Sequence, residues 1–267
     1  MARPTPRLLI FFALTFAWSW TCWLLTPWVK SDSGYAANTL FFFGGFGPTI
    51  AAVTIVSATE GRVGLRAWFA RCLQWRVGFG WLVLALLSPL AVLTNAAAIH
   101  MALGGSVPPS PANGHLLMLF ANFFLVFFVG GPLGEEFGWR GYALPAMQTH
   151  MSWRTASLVL GGIWGVWHLP LFWVTGSTQA HSSVLVFFVL IVSTSVFYTW
   201  LFNRTKGSVV PALLLHTASN TWPFVMPVLP SDVDPRAYYL VVGLVVIAAL
   251  WLLLRRERDA VKLGEPL

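Results

Sequence analysis

The stretch LLMLFANFFLVFFVGGPLGEEFGWRGYALP, Leu116 to Pro145, joins a strongly apolar, uncharged segment to two adjacent glutamates, Glu135 and Glu136. Arg140 follows the second glutamate by four residues. A carboxylate placed at membrane depth costs a few kcal/mol or more, so ionisable residues in apolar segments indicate a function. The whole chain has only nine acidic residues. Two of them side by side at the end of such a segment predict a functional site within a membrane protein.

The composition of the chain excludes an ordinary soluble domain. Hydrophobic residues make up 57% of the 267 positions and charged residues only 9%, which is far from the usage of soluble proteins. Apolar segments long enough for a transmembrane helix of about 20 residues are residues 8–27, 38–58, 79–103, 116–144, 156–175, 184–202, 208–228 and 238–254. The sequence therefore predicts an all-α polytopic membrane protein, a single bundle of about eight transmembrane helices.

The net charge of +7 is distributed unevenly between the loops on the two sides of the predicted bundle. One side receives Arg3, Arg7, Arg62, Arg66, Arg71, Arg76, Arg140, Arg154, Arg204, Lys206, Arg255, Arg256, Arg258 and Lys262, and the other receives Lys30 and Arg236. By the positive-inside rule both termini are cytoplasmic, in the cell membrane if the source is bacterial. The positive charge is then explained by topology and by contact with anionic membrane lipids. No nucleic-acid partner is implied.

Three sections follow along the chain. Residues 1–114 hold three predicted helices, a basic and aromatic segment suited to the cytoplasmic membrane interface, and a Pro/Gly-rich linker at 104–114. Residues 115–230 hold all the candidate chemistry and are predicted to form the catalytic core. Residues 231–267 hold the last transmembrane helix and a basic cytoplasmic tail.

The two glutamates are predicted to have different partners. On a helix Glu136 and Arg140 are i and i+4, so their side chains meet on one face and can neutralise each other. Glu135 lies about 100° away around the helix, where its i+4 neighbour is Trp139. It has no local cation and is the carboxylate left available for chemistry.

Other polar residues lie in later apolar segments. His168 lies within GGIWGVWHLPLFW, and His216 and Asn220 are i and i+4 within PALLLHTASNTW. In hydrocarbon each polar group needs a hydrogen-bonding partner. The polar groups on the other predicted spans are the partners available to each of them. They are expected to share one site with Glu135.

The depth of these residues predicts which way the site opens. A rise of 1.5 Å per residue puts Glu135 and His216 roughly 15 Å from the cytoplasmic ends of their helices, and His168 about 21 Å. The three depths agree if the fifth helix starts late, near Ser157, with Thr155 or Ser157 as its N-cap. The site is then expected to open toward the cytoplasm.

This set of side chains suits hydrolysis in two ways. A buried carboxylate can take a proton from water, a histidine can share or relay it, and His and Asn donors can stabilise an oxyanion. Alternatively, Glu135, His168 and His216 could bind zinc with water as the fourth ligand. The His-Glu-x-x-His helix of zinc proteases is absent from the sequence, so both the metal and the metal-free mechanism remain open here.

Three motifs in order resemble the signature of the CPBP family. They are Glu-Glu-x-x-x-Arg at 135–140, aromatic-x-x-x-His at 164–168 and His-x-x-x-Asn at 216–220. That family comprises type II CAAX prenyl endopeptidases and bacteriocin-processing or immunity proteins, also called the Abi family. The resemblance covers roughly Leu116 to Val228, and it differs from the commoner pattern in having Trp164 in place of phenylalanine.

The resemblance implies an eight-helix intramembrane endopeptidase with a role for each matched residue. In that family, the residues that correspond to Glu135 and His168 activate water. The residues that correspond to His216 and Asn220 form the oxyanion hole. The expected substrate is a membrane-anchored peptide or lipidated protein, such as a prenylated CAAX protein.

The residues matched by Glu136 and Arg140 organise the site in that picture. The resemblance leaves open whether a metal is bound. Two other classes also remain: a non-catalytic immunity or scaffold protein, and a proton-coupled transporter. The chain has no evident internal repeat, which disfavours a transporter.

Overall fold

The structure is a computed structural model that describes residues 6–29, 35–112, 115–228 and 234–255. Every regular element within these ranges is a helix. The predicted fold class, an all-α polytopic membrane protein, is confirmed. Several residues used in the charge argument lie outside the described residues, namely Arg3, Lys30, Arg256, Arg258 and Lys262.

The described residues form eleven α-helices. They are α1 Pro6–Leu25, α2 Tyr35–Gly44, α3 Gly47–Cys72, α4 Phe79–Ala102, α5 Leu116–Val129, α6 Pro132–Gly138, α7 Leu144–Gln148, α8 Trp153–Trp167, α9 Val184–Arg204, α10 Val210–Thr221 and α11 Arg236–Leu254. A wider turn of π-helix, Trp139–Ala143, joins α6 to α7, and a 3₁₀ turn, Leu169–Trp173, extends α8. Large apolar side chains on α5, such as Leu117 and Phe120, are exposed, as expected of a surface that contacts lipid.

The number of membrane spans differs from the predicted eight. Five helices within the described residues are long and apolar enough to cross a membrane, and two bent pairs raise the number to seven. The bends are 57° between α2 and α3 and 42° between α5 and the segment that begins with α6. The predicted span at 208–228 contains α10, whose 12 residues extend only about 18 Å, less than the roughly 30 Å of a hydrocarbon core.

The two bends pack against each other because small residues lie at both. A side chain at Gly134 would meet the backbone of Gly45, and one at Gly138 would meet the backbone of Pro48. Only glycine lets α6 approach the break between α2 and α3 this closely. This contact sets the position of the helix that carries both glutamates.

One end of the bundle carries most of the basic loops, and hydrogen bonds tie these loops together. The hydroxyl of Ser208 donates to the carbonyl of Gln74 at 2.6 Å, and the N–H of Val209 donates to the carbonyl of Cys72 at 2.9 Å. The guanidinium of Arg154 caps the C-terminus of α11. We call this the basic end.

The loops at the other end are also joined to one another. The hydroxyl of Ser110 donates to the carbonyl of Phe224 at 3.4 Å, and His100 contacts both the carbonyl of Ser106 and the carboxylate of Asp234. We call this the opposite end. The two ends are the reference points for the direction in which the site opens.

Candidate active site

The break between α5 and α6 brings two site residues to one point. Gly131 has a φ of 108°, a conformation that favours glycine. A Cβ atom at Gly131 would lie 2.8 Å from Glu135 Oε1 and 3.6 Å from His216 Nε2. The side-chain amide of Asn220 donates to the carbonyl of Gly130 at 3.1 Å. Because Gly131 has no side chain, space remains beside Glu135, His216 and Asn220.

Glu136 is fully buried and has two partners on one oxygen. Its Oε1 accepts from Arg140 Nη1 at 3.1 Å and from His216 Nδ1 at 2.8 Å. The ion pair that the i, i+4 spacing predicts is thus present, and it also holds an imidazole. With Nδ1 bound to the carboxylate, His216 presents its Nε2 to the space beside Gly131.

Arg140 lies in the π turn, fully buried between two aromatic rings. Its Cζ lies 4.4 Å from the ring centroid of Trp164 and 4.2 Å from that of Tyr198. Such stacking stabilises a desolvated guanidinium. The sequence patterns did not single out Tyr198. It could have been noticed as a phenol within an apolar span, because the chain has 21 phenylalanines and only five tyrosines.

Glu135 accepts a hydrogen bond from an indole. Trp164 Nε1 donates to Glu135 Oε2 at 2.7 Å, while Oε1 has no hydrogen-bond partner among the described residues and borders a cavity. The motif requires only an aromatic residue at position 164, so it did not predict the indole N–H of Trp164 as a donor to Glu135.

The imidazole of His168 is held near Glu135 by a hydrogen bond to the backbone of Trp164. Its Nδ1 donates to the carbonyl of Trp164 at 2.8 Å, which assigns the proton to Nδ1 and leaves Nε2 as an acceptor. No direct hydrogen bond joins it to Glu135 in the described part of the chain. The two side chains are linked by Trp164, which contacts both of them.

The expected late start of the fifth predicted span is wrong. Helix α8 begins at Trp153, because the hydroxyl of Ser152 caps it by accepting the N–H of Thr155 at 3.1 Å. His168 is therefore at the far end of α8 from the basic end, and Pro170 follows in the next turn. The site residues do not need to lie at equal distances from the starts of their helices, because His168 lies at the C-terminal end of α8.

A cavity of about 820 Å³ joins the candidate residues. Glu135, His168, His216 and Asn220 all line it, and most of the rest of its wall is aromatic or aliphatic. Glu136 and Arg140 lie behind this wall, fully buried. Four of the six predicted site residues thus border one space, and the other two hold them in place.

The cavity extends toward the opposite end of the bundle. Its wall includes Ser177, Ser182 and Val228, which belong to or adjoin the loops of that end. None of the residues that line it belongs to the connections 73–78, 149–152 or 205–209 of the basic end.

The zinc alternative does not fit these side chains. Among the described residues no three His, Cys, Asp or Glu side chains are grouped so that they could hold a metal ion. The predicted set of Glu135, His168 and His216 is therefore not assembled as a ligand set.

Comparison with known proteins agrees with the motifs. Residues 116–222 match the family model described as type II CAAX prenyl endopeptidase Rce1-like. A curated relative is CAAX prenyl protease 2 of Methanococcus maripaludis, which is 23% identical over 232 residues, or 79% of this chain and 82% of that protein.

The fold and the site define a polytopic membrane protein with a polar cluster enclosed by its helices. Within that class the chain is similar to the CPBP family, which includes the type II CAAX prenyl endopeptidases, over residues 116–222. The resemblance drawn from the three motifs is confirmed.

Proposed function

We propose that this protein is an intramembrane endopeptidase that hydrolyses a peptide bond of a membrane-anchored protein or peptide, using water activated by Glu135. The observation that carries this proposal is that the two oxygens of the Glu135 carboxylate have different surroundings. Trp164 holds Oε2 at 2.7 Å, while Oε1 borders the cavity beside His216 Nε2. A fixed carboxylate with one oxygen toward a partly enclosed cavity is the arrangement that a general base requires.

The reaction begins with a water molecule beside Glu135. The carboxylate takes one proton as the water oxygen forms a bond to the carbonyl carbon of the substrate, and the carbonyl oxygen becomes an oxyanion. When the C–N bond breaks, Glu135 returns the proton to the leaving amine. His168 assists at the water, because its unprotonated Nε2 can accept a second hydrogen bond.

His216 and Asn220 stabilise the oxyanion in this proposal. Because the Nδ1 of His216 is bound to the carboxylate of Glu136, a protonated imidazole presents its Nε2–H toward the cavity. The amide of Asn220 has a second N–H besides the one that donates to Gly130. Donors placed before the reaction lower the barrier without reorganisation.

The substrate class follows from the cavity wall and from the relative. Most of the wall is apolar, so it suits a peptide that carries or adjoins a lipid chain or an apolar segment. The relative's name is CAAX prenyl protease 2. A prenylated CAAX peptide is therefore the first substrate to test, beside membrane-anchored peptides without a prenyl group.

The test is cleavage of such a peptide panel by purified protein, followed by mass spectrometry. We expect wild type to cleave at least one peptide, and Glu135→Gln and His168→Ala to lose about 100-fold or more of that activity. Glu60→Gln is the matched control, because Glu60 is an exposed glutamate on α3 outside the cavity. Wild-type rates in both site variants would refute the mechanism.

A further inference from the structure

One polar side chain interrupts the apolar helix α5. The helix reads LLMLFANFFLVFFV, and Asn122 is its one residue with a polar side chain. A polar group inside a membrane-spanning helix is costly unless it has a hydrogen-bond partner, and such residues commonly have a function. The partner of this carboxamide therefore decides what Asn122 does.

Asn122 has no hydrogen-bond partner among the described residues, unlike two asparagines on neighbouring helices. Asn95 on α4 donates to the carbonyl of Ala91 at 2.7 Å. Asn220 on α10 donates to the carbonyl of Gly130 at 3.1 Å. The side chain of Asn122 instead lines the cavity of the candidate active site. Its carbonyl oxygen and its amide group are therefore available to a molecule in that cavity.

Asn122 lies on the same face of α5 as the residues that lead to the reacting centre. Val126, Val129 and Gly130 also line the cavity, and they follow Asn122 at i+4, i+7 and i+8, which is one helical face. The next residue, Gly131, lies beside Glu135 and His216. We call Asn122, Val126, Val129 and Gly130 the α5 stripe. It forms a continuous wall from Asn122 to the carboxylate.

The length of the α5 stripe corresponds to a short piece of extended peptide. Asn122 precedes Gly130 by eight residues, which is about 12 Å along a helix at 1.5 Å per residue. An extended chain rises about 3.3 Å per residue, so about three or four residues cover this distance. A peptide whose scissile bond lies beside Glu135 and whose chain follows the α5 stripe thus brings a main-chain amide to Asn122.

The carboxamide of Asn122 is chemically matched to a peptide group. Each carries an N–H donor and a carbonyl acceptor, so the two can pair. The other side chains of the α5 stripe are apolar, and no residue of α5 is ionisable. Main-chain N–H and C=O groups that enter an apolar cavity cost free energy unless they are hydrogen-bonded. Asn122 offers that hydrogen bond on this wall of the cavity.

We infer that Asn122 is a substrate-binding residue that hydrogen-bonds the main chain of the substrate about three or four residues from the cleaved bond. It holds the peptide in register, and Glu135 carries out the chemistry. The inference rests on the proposed function for the position of the scissile bond. Its evidence is the unpaired carboxamide on the α5 stripe.

The test measures binding separately from cleavage. A fluorescent prenylated CAAX peptide is titrated with full-length Glu135→Gln protein in detergent, and its anisotropy gives the Kd. Asn122→Leu is added to that background; leucine is close to asparagine in size and suits an apolar helix, and no hydrogen bond within the described residues is lost. Asn95→Leu is the matched control, because Asn95 is an exposed asparagine outside the cavity wall.

We expect Asn122→Leu to raise the Kd about tenfold and Asn95→Leu to leave it unchanged. Peptides with one main-chain ester in place of an amide, at each position in turn, then locate the contact. An ester about three or four residues from the cleaved bond should weaken binding to the Glu135→Gln protein and have no further effect when Asn122→Leu is present.

An unchanged Kd in Asn122→Leu overturns the inference, as do ester effects that are the same with and without Asn122. A peptide that does not bind the Glu135→Gln protein also overturns it. Cleavage by the protein with Glu135 intact is measured on the same peptide. Absence of cleavage beside a raised Kd in Asn122→Leu would refute the proposed function and leave Asn122 as a binding residue.

Discussion

At the scale of single residues, the two neighbouring glutamates are distinguished by what holds them. Glu136 accepts from Arg140 and His216 and has no exposed surface. Glu135 accepts from one indole and keeps an oxygen toward the cavity. The first is suited to hold other groups in place, and the second to react.

Glu136→Ala is expected to destabilise the fold far more than Glu135→Gln. Removing one partner of a buried ion pair leaves an uncompensated charge and costs about 3–5 kcal/mol, and here it strands the guanidinium of Arg140. Glu135→Gln keeps an oxygen that can accept from Trp164. Thermal unfolding in detergent measures both. Equal melting temperatures for the two variants would contradict the structural role of Glu136.

Trp164→Phe is expected to lower kcat about 10- to 100-fold with little change in KM. It keeps an aromatic ring beside Arg140 and removes the N–H that orients Glu135; a hydrogen bond to a charged group contributes about 1.5–3 kcal/mol. Phenylalanine is the commoner residue at this motif position, so the variant is expected to fold.

Trp167→Phe is the matched control for that variant. Trp167 is a buried neighbour on the same helix, and its Nε1 has no hydrogen-bond partner among the described residues. Its replacement removes ring volume without removing a hydrogen bond. Equal effects of Trp164→Phe and Trp167→Phe on kcat would show that ring size alone matters and would remove Trp164 as a positioning residue.

At the scale of helices, the break between α5 and α6 makes the site possible. Gly131 combines a positive φ with a position next to Glu135 Oε1 and His216 Nε2. A continuous helix would have carried Glu135 away from α10. The break therefore places the carboxylate beside the histidine of another helix.

Gly131→Ala is expected to destabilise the protein and to remove activity. The positive φ costs an L-residue about 1–2 kcal/mol, and the new methyl group would lie 2.8 Å from Glu135 Oε1. Gly104→Ala is the control, since Gly104 has a φ of 81°, nothing within 4 Å of the added Cβ, and no place in the cavity wall. Unfolding and cleavage assays should show similar backbone strain in both and loss of activity only in Gly131→Ala.

Periodicity and spacing predicted most elements of this fold and several contacts of the site. The Glu136–Arg140 pair follows from i, i+4 geometry alone, and seven of the predicted spans coincide with single helices or bent pairs. Hydropathy could not distinguish a full span from the short α10, because the flanking Trp222 and Pro223 extend the apolar run beyond the helix.

Contacts between distant elements could not be derived from local patterns. The hydrogen bond from Trp164 to Glu135 joins α8 to α6, and its geometry depends on packing that spacing does not encode. The same holds for Tyr198 against Arg140. The start of α8 was misplaced because Ser152, Thr155 and Ser157 are all suitable N-cap residues, and sequence alone does not rank them.

At the scale of the whole molecule, chelators are expected to leave activity unchanged. The described residues contain no grouped set of three His, Cys, Asp or Glu side chains that could hold a metal ion. Cleavage is measured before and after extended dialysis against a strong chelator, with and without added zinc. Loss of activity that zinc restores would require a ligand arrangement different from the one described.

The molecule as a whole is an asymmetric bundle with charge at one end and a cavity toward the other. The buried layer of Trp139, Arg140 and Glu136 separates the two. Because this layer also holds His216 in place, the barrier to the basic end and the support of the site are the same residues. Disruption of the layer is therefore expected to abolish catalysis.

The most direct measurement of the central claim is a single turnover in H₂¹⁸O with enzyme in excess. Direct attack by water activated by Glu135 predicts one ¹⁸O atom in the new carboxyl terminus of the product and none in the Glu135 peptide. Mass spectrometry of both fragments gives the result. Appearance of ¹⁸O in the carboxylate of Glu135, or turnover by Glu135→Gln at the wild-type rate, would contradict the mechanism.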